Sequence, residues 1–270
     1  MIMHKSVNKI NIHHRSISDL LKIHSHESFH SYLIEHAVKR YQDIRHEQGG
    51  DLGSVLAVCA NYREALSLKK FPFNQILLTG IADPDEKLRN EVANDERISY
   101  QKQNCENISL NSRSFDLVFC KEGLHHLPRP VLGLYEMLRI CTRAAIIIEG
   151  YDTPLIRVLE IFNLTSAYET NTQVNICRRD NFVFRWSKRH LQLILNSYYL
   201  DSGYQLDITL GWLSGRFSLH RSKLIRYLSA VCGWGIGFIP GCYGNYLEAL
   251  ILPGSDIPVD SSPASRIGAC

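Results

Sequence analysis

The chain has 270 residues, 45% of them hydrophobic and 21% charged, which suits one α/β domain with insertions and a sizeable core. A formal net charge of +3 over that length is too weak to argue for a nucleic-acid partner. No run of about 18 apolar residues occurs, so no stable membrane insertion is expected; the nearest approach, residues 224–240, is broken by Arg226, Ser229 and three glycines.

The N-terminus has no apolar signal core, and the eight cysteines (59, 105, 120, 141, 177, 232, 242 and 270) form no CxxC pair. That pattern favours reduced thiols and a cytoplasmic setting over a disulfide framework. Residues 1–18 are polar and read as poorly ordered, with Ser18-Asp19 able to cap a short helix. Phe29, Tyr32, Leu33, Ala37 and Tyr41 recur at helical spacing over 27–47, and Gly49-Gly50 stops that helix. Residues 1–48 therefore read as an N-terminal helical segment.

From 49 onward strands and helices alternate. The apolar run 54–59 predicts a buried strand, 62–70 a helix, and 74–79 a second strand. Pro84 opens a helix over 85–93. A weaker strand at 97–101, a fourth at 115–120, a helix at 130–141 and a strand at 144–149 follow. Beyond 149 the rhythm breaks, with insertions at 151–186 and 212–243 around a helix at 187–197 and strands at 204–210 and 245–252. The alternation implies an α/β, doubly wound, mostly parallel seven-stranded sheet over 49–253. Residues 254–270 read as a disordered tail.

In such a sheet the ligand sits at the carboxyl ends of the strands. The first of these ends reads Cys59-Ala60-Asn61-Tyr62-Arg63-Glu64, without the glycines that allow positive φ and close backbone approach. Ala60 is small, and Asn61 tolerates a left-handed conformation. Asp83 lies 24 residues after Cys59, near the spacing expected of an acid that binds ribose hydroxyls. Asp85 competes for that role, and Asp83 could instead cap the next helix. At the fourth strand end, His125 or His126 could act as a general base. Their pairing also hints at metal, but no further ligands stand at metal spacing, so no metal is expected. Glu136 and Arg139 can pair at i, i+3. Glu149, Tyr151 and Asp152 leave the fifth strand at the same rim, to orient a substrate hydroxyl or to cap the next segment.

The stretch SFDLVFCKEGLHHLPRPVLGLYEMLRI resembles the fDlV…lhHl…E..R region of class I S-adenosylmethionine (SAM)-dependent methyltransferases, type 11-like. NCENISLNSRSFD is similar to the segment just upstream in that family. The likeness spans residues 50–150 and, more loosely, the last two strands. CANYREA replaces the Gly-rich first motif, and Cys141-Thr142-Arg143-Ala144 replaces a Gly-Gly turn.

The resemblance implies a Rossmann-like methyltransferase fold and SAM as cofactor. Cys59, Ala60, Asn61 and Tyr62 would face the methionine part, Asp83 the ribose, and Asn104, Cys105 and Glu106 the adenine. Lys121 and Glu122 would lie on the sulfonium side, with His125, His126 and Glu149 as catalytic candidates. An amide at Asn104 can donate and accept at adenine edges; the alternative is a plain polar loop. The expected acceptor is a small molecule or glycan-type compound, methylated at oxygen and entering over 1–48, 151–186 and 212–243. Phe182, Phe184, Arg185 and Trp186 would line it or pack the insertion. The competing reading is a non-catalytic member of the fold acting as a binding or regulatory partner, favoured by the missing glycines. An NAD enzyme is disfavoured by the same loop. Surface association with a membrane through Trp234–Phe238 rests on local apolarity alone.

Overall fold

The architecture follows from how the apolar runs can be buried. A computed structural model describes residues 8–23, 25–163, 165, 168–169, 181–200, 202–212, 220–240 and 242–254. In chain order these form β1 (Lys9–His14), α1 (Ile17–Leu21), α2 (His26–Glu47), β2 (Ser54–Val58), α3 (Tyr62–Leu68), β3 (Gln75–Gly80), α4 (Glu86–Asn94) and β4 (Ile98–Lys102). Then come β5 (Phe115–Lys121), a 3-10 turn (Leu124–His126), α5 (Pro130–Ile140), β6 (Cys141–Gly150) and α6 (Pro154–Ile161). Two short strands, β7 (Tyr168–Glu169) and β8 (Asn181–Phe182), pair antiparallel. The chain continues through α7 (Lys188–Tyr199), β9 (Tyr204–Gly211), α8 (Lys223–Ile236) and β10 (Tyr246–Pro253).

The main sheet has the order β1-β9-β10-β6-β5-β2-β3-β4. Its pairings are parallel except those of β10, which runs against both β6 and β9. The central strands β2, β3, β5 and β6 are largely apolar because both faces are covered. Val55, Ala57, Ile76, Leu78, Leu117 and Phe119 pack beneath Leu33, Val38 and Tyr41 of α2, Ala65 and Leu68 of α3, and Leu88 of α4. Their neighbours Leu56, Val58, Val118 and Cys120 face Leu134, Met137 and Leu138 of α5 and Leu191 and Leu195 of α7. This alternation is the period-two signature of a strand. Each fully buried leucine or isoleucine contributes about 1.5–3 kcal/mol.

The sheet differs from the sequence expectation at its start. Residues 9–14, expected to be poorly ordered, form an eighth strand parallel to β9. An edge strand is wetted on one side and can carry the polar sequence KINIHH; Asn11 Nδ2 donates to Asp207 at 2.5 Å. The cap of α1 is Ser16 rather than Ser18, closed by a capping box with Asp19. β6 begins at Cys141, so the segment in place of the Gly-Gly turn is already strand. The tail expected at 254–270 lies outside the described residues from 255 on.

A buried carboxylate fixes the N-terminal segment to the sheet. Glu248 on β10 accepts from Arg15 Nη2 at 2.8 Å and Arg40 Nη1 at 3.1 Å, with His36 Nδ1 at 2.8 Å. Burial pushes its pKa up, but the His36 hydrogen bond and the charges of Arg15 and Arg40 outweigh that and hold it at about 2. Among the described residues no helix is long and apolar enough to cross a membrane.

Candidate functional site

The connection from β2 passes to β3 on one side, and the chain later returns to β5 on the other. The carboxyl ends of β2 and β5 therefore flank the point where the strand order reverses, the position at which open α/β sheets bind ligands. Two non-glycine residues are left-handed there: Cys59 directly after β2, with φ +53°, and Glu122 directly after β5, with φ +48°. Such a conformation costs an L-residue about 1–2 kcal/mol. It persists where the surroundings impose it, and such positions cluster at functional sites.

The first loop is fastened on all sides. Ala60 N–H donates to Thr79 O at 2.8 Å. Asn61 caps α3 by accepting from Arg63 N–H at 2.9 Å, and Glu64 returns by accepting from Asn61 N–H at 2.8 Å. Burial pushes the Glu64 carboxyl up. Tyr62 opens the helix, half-buried, with Lys87 Nζ 4.8 Å from its ring centre. Cys59 turns its side chain inward. A Cβ on Gly123 would lie 2.5 Å from Cys59 Cβ and 2.9 Å from Cys120 Sγ, so the β2 and β5 loops touch through this thiol. Hydrogen bonds from the Cys105 and Cys120 thiols hold the Cys59 thiol well below its ordinary pKa, and the same contacts push both partners up. Cys105, expected to flank adenine, is buried beneath the loop.

Asp83 stands differently. Its side chain is 82% exposed, with only Lys102 Nζ nearby at 3.3 Å. The cap of α4 is Asp85, which accepts from Leu88 N–H at 2.8 Å, so the capping alternative for Asp83 falls away. A cleft of about 430 Å³ opens beside it, lined by Asp83, Pro84, Arg89, Tyr100 and Lys102 among others. Tyr100 is held there by donating its hydroxyl hydrogen to Ala82 O at 2.5 Å. Asn104 is exposed and accepts from Glu106 N–H at 3.0 Å, a local Asx turn. Glu106 itself is taken up by Arg129, accepting from its backbone N–H at 2.5 Å and its guanidinium at 2.8 Å.

Lys121 and Glu122 form a cluster that no sequence window reveals. Lys121 Nζ lies 2.5 Å from His30 Nδ1, and it also donates to Glu122. Glu122 in turn accepts from the Tyr246 hydroxyl and lies 3.3 Å from His30. Burial first, and the Lys121 charge with it, lowers the His30 pKa against the pull of Glu122. Burial alone would raise Glu122, but His30, Lys121 and Tyr246 together hold it well below the ordinary carboxylate range. His30 comes from α2 and Tyr246 from β10, 91 and 124 residues from their partners.

Glu149 is fully buried. Its Oε1 accepts from Gly123 N–H at 3.0 Å and Leu124 N–H at 2.8 Å, and its Oε2 meets His125 Nδ1 at 2.5 Å. The expectation that Glu149 orients a substrate is corrected: it holds the 3-10 turn. His125 is buried with it, whereas His126 is half-buried, its ring 4.2 Å from that of His125. Tyr151 is buried, and Asp152 pairs with Arg157. In the insertion, Trp186 is core, Phe184 packs edge-on against it at 5.0 Å, Arg185 pairs with Glu160, and Phe182 is exposed. Glu136 and Arg139 pair at 2.8 Å and tie down the backbone at Ile108 and Leu110. Among the described residues no group of three or more His, Cys, Asp or Glu side chains is arranged to hold a metal ion.

Residues 59–148, a third of the chain, match the family model of the methyltransferase domain. Among solved structures, the YcgJ protein from Bacillus subtilis superposes with a TM-score of 0.51 at 11% identity, covering 82% of this chain and 99% of its own. The small RNA methyltransferase HEN1 gives a TM-score of 0.50 at 11% identity, over 82% of this chain but 26% of its own. At such identities the likeness is one of fold. No curated protein matches the sequence.

Proposed function

From a core that is a class I SAM-dependent methyltransferase domain, we propose that this chain binds S-adenosyl-L-methionine across the ends of β2, β3 and β5 and methylates a small-molecule or glycan-type acceptor at oxygen. One observation carries the reading: two left-handed residues, Cys59 and Glu122, flank the switch point, with the open carboxylate of Asp83 beside them. The nucleoside half of the cofactor fits the residues present. Asp83 is an unburied acceptor for ribose hydroxyls, and the Asn104 amide is exposed for a base edge. The methionine half would be held by Ala60, Asn61 and Tyr62, with Lys121 and Glu122 at its far end. Cys59 narrows that half through its contact with Gly123.

The bound cofactor supplies an electrophilic methyl group. The chain's share of the chemistry is alignment, which alone can contribute several kcal/mol, and a destination for the hydroxyl proton. We assign the latter to His126, which is half-buried, with its ring 4.2 Å from that of His125 in the His125–Glu149 pair. Glu149 and His125 act as positioning residues for that turn. Calorimetric titration with SAM and S-adenosylhomocysteine tests the reading. Asp83→Ala is expected to weaken binding by about 1–3 kcal/mol, the range for a hydrogen bond to a charged group. An unchanged affinity removes Asp83 from the site.

A second reading, a non-catalytic member of the fold that binds a partner, is favoured by the Cys59–Gly123 contact and by the internally paired Lys121–Glu122 cluster. Absence of SAM binding in both the native chain and Cys59→Gly would select it.

A further inference from the structure

Helix α8 carries an apolar stripe that the fold leaves uncovered. Leu224, Tyr227, Leu228 and Trp234 are exposed, as is Phe238 just beyond the helix; Leu224 is 66% and Phe238 57% accessible. At 100° per residue these positions fall within one third of the helix circumference. Ala230 and Gly233 on the other side are buried, with Gly233 against Trp212, so the helix is seated and the stripe points away from its seat. His14 packs on Phe238 and Tyr243, at 5.5 and 6.2 Å between ring centres, and holds the turn after the helix.

The charge that the chain itself carries next to this stripe has one sign, although the packed helix α1 brings Asp19 nearby. Exposed Arg221 and Lys223 stand at its amino end, with Arg226 one turn on, while no acid occurs between Ile208 and Leu247. The first turn has no acidic residue and the N-cap makes no side-chain bond. Cations at a helix amino end oppose its macrodipole, so they do not serve the helix itself. Trp, Tyr and Phe on one side with Lys and Arg at the margin is the composition of a helix lying in a lipid interface. Location agrees. α8 connects β9 to β10 across the rim that bears the candidate site, and α6, leaving β6 at that rim, exposes Val158, Ile161 and Phe162.

We infer that α8 docks onto the surface of an anionic lipid bilayer, its apolar stripe in the headgroup boundary and Arg221 and Lys223 against the phosphates. The contact brings the strand-end rim to the membrane, and it stands independently of cofactor binding.

Sedimentation of the full chain with vesicles tests it. Vesicles of phosphatidylcholine with phosphatidylglycerol are expected to pull down the protein, and phosphatidylcholine alone to retain little. Arg221→Gln with Lys223→Gln is expected to weaken binding about thirtyfold, each basic residue near the surface contributing about fivefold. Leu224→Ser, Tyr227→Ser and Leu228→Ser together are expected to abolish it while SAM titration and far-UV circular dichroism stay unchanged, since all three side chains are exposed. No binding to the anionic vesicles, or binding that the apolar triple variant retains, overturns the inference. So does light scattering that shows a dimer which the triple variant splits, because the stripe would then face a second copy.

Discussion

Glu149→Ala is the sharpest test of how the candidate rim is built. The carboxylate is fully buried and has three donors: the N–H groups of Gly123 and Leu124 at 3.0 and 2.8 Å, and His125 Nδ1 at 2.5 Å. Alanine leaves two backbone N–H groups buried without an acceptor, at about 1–3 kcal/mol each, and removes the imidazole's partner. The sum is about 3–6 kcal/mol, a large share of the 5–15 kcal/mol that holds a domain together. At about 2–4 °C per kcal/mol for a chain of about this size, the melting temperature should fall by roughly 6–24 °C. Glu149→Gln keeps an amide oxygen for the N–H groups and should cost about 1–2 kcal/mol. Urea denaturation of the native chain and both variants, with unchanged m-values as the control, measures the difference. An alanine variant within about 1 kcal/mol of the native chain would refute the claim that Glu149 anchors the turn.

The other expectations rest on separate contacts. Gly123→Ala puts a Cβ 2.5 Å from Cys59 Cβ and should destabilise by about 1–3 kcal/mol, as overpacking does; adding Cys59→Gly should restore part of that loss in the same denaturation assay, and equal losses with and without it would deny the contact. Cys59→Gly alone relieves a left-handed cysteine and opens the methionine half, so SAM titration should give tighter binding than the native chain. Glu248, held at about 2 against an ordinary 4.5, binds its proton later in the folded state than in the unfolded one. It thus contributes about 3 kcal/mol above pH 4.5 that drains away as pH falls toward 2; urea midpoints from pH 6 to 3 should drop less steeply in Glu248→Gln, and parallel slopes would refute the assignment. His126→Gln should lower methyl transfer to a hydroxyl acceptor by about 10²–10⁴ without changing SAM affinity, measured with labelled SAM once an acceptor is in hand.

The central elements were legible because their chemistry is local. The apolar runs at 54–58 and 115–121 can only be buried on both faces. The caps were not: Asp83 was the candidate for α4, and Asp85 forms it. β1 was not legible, since KINIHH owes its strand state to the ladder of β9 rather than to its own composition. Glu248 carries no local sign of its role; it is buried with Arg15, His36 and Arg40, which arrive from more than 200 residues away. His30 and Tyr246 escaped for the same reason. Their place beside Lys121 and Glu122 is set by the packing of α2 and the reversed direction of β10, neither of which leaves a local motif.

The loss of the first-loop glycines looks different once the backbone is known. A chain that had abandoned the loop's function would be free to relax Cys59 into an ordinary β or α conformation and recover about 1–2 kcal/mol. Instead Cys59 keeps the positive φ that glycine adopts without cost, and it is fixed there by Ala60 N–H on Thr79 O and by thiol contacts with Cys105 and Cys120. Glu122, across the switch point, keeps the same strained geometry with its carboxylate locked by Lys121 and Tyr246. Both strand ends thus hold a left-handed backbone under non-glycine side chains. That favours a rim still shaped for a ligand, and it makes Cys59→Gly the substitution that separates a narrowed cofactor site from a closed one.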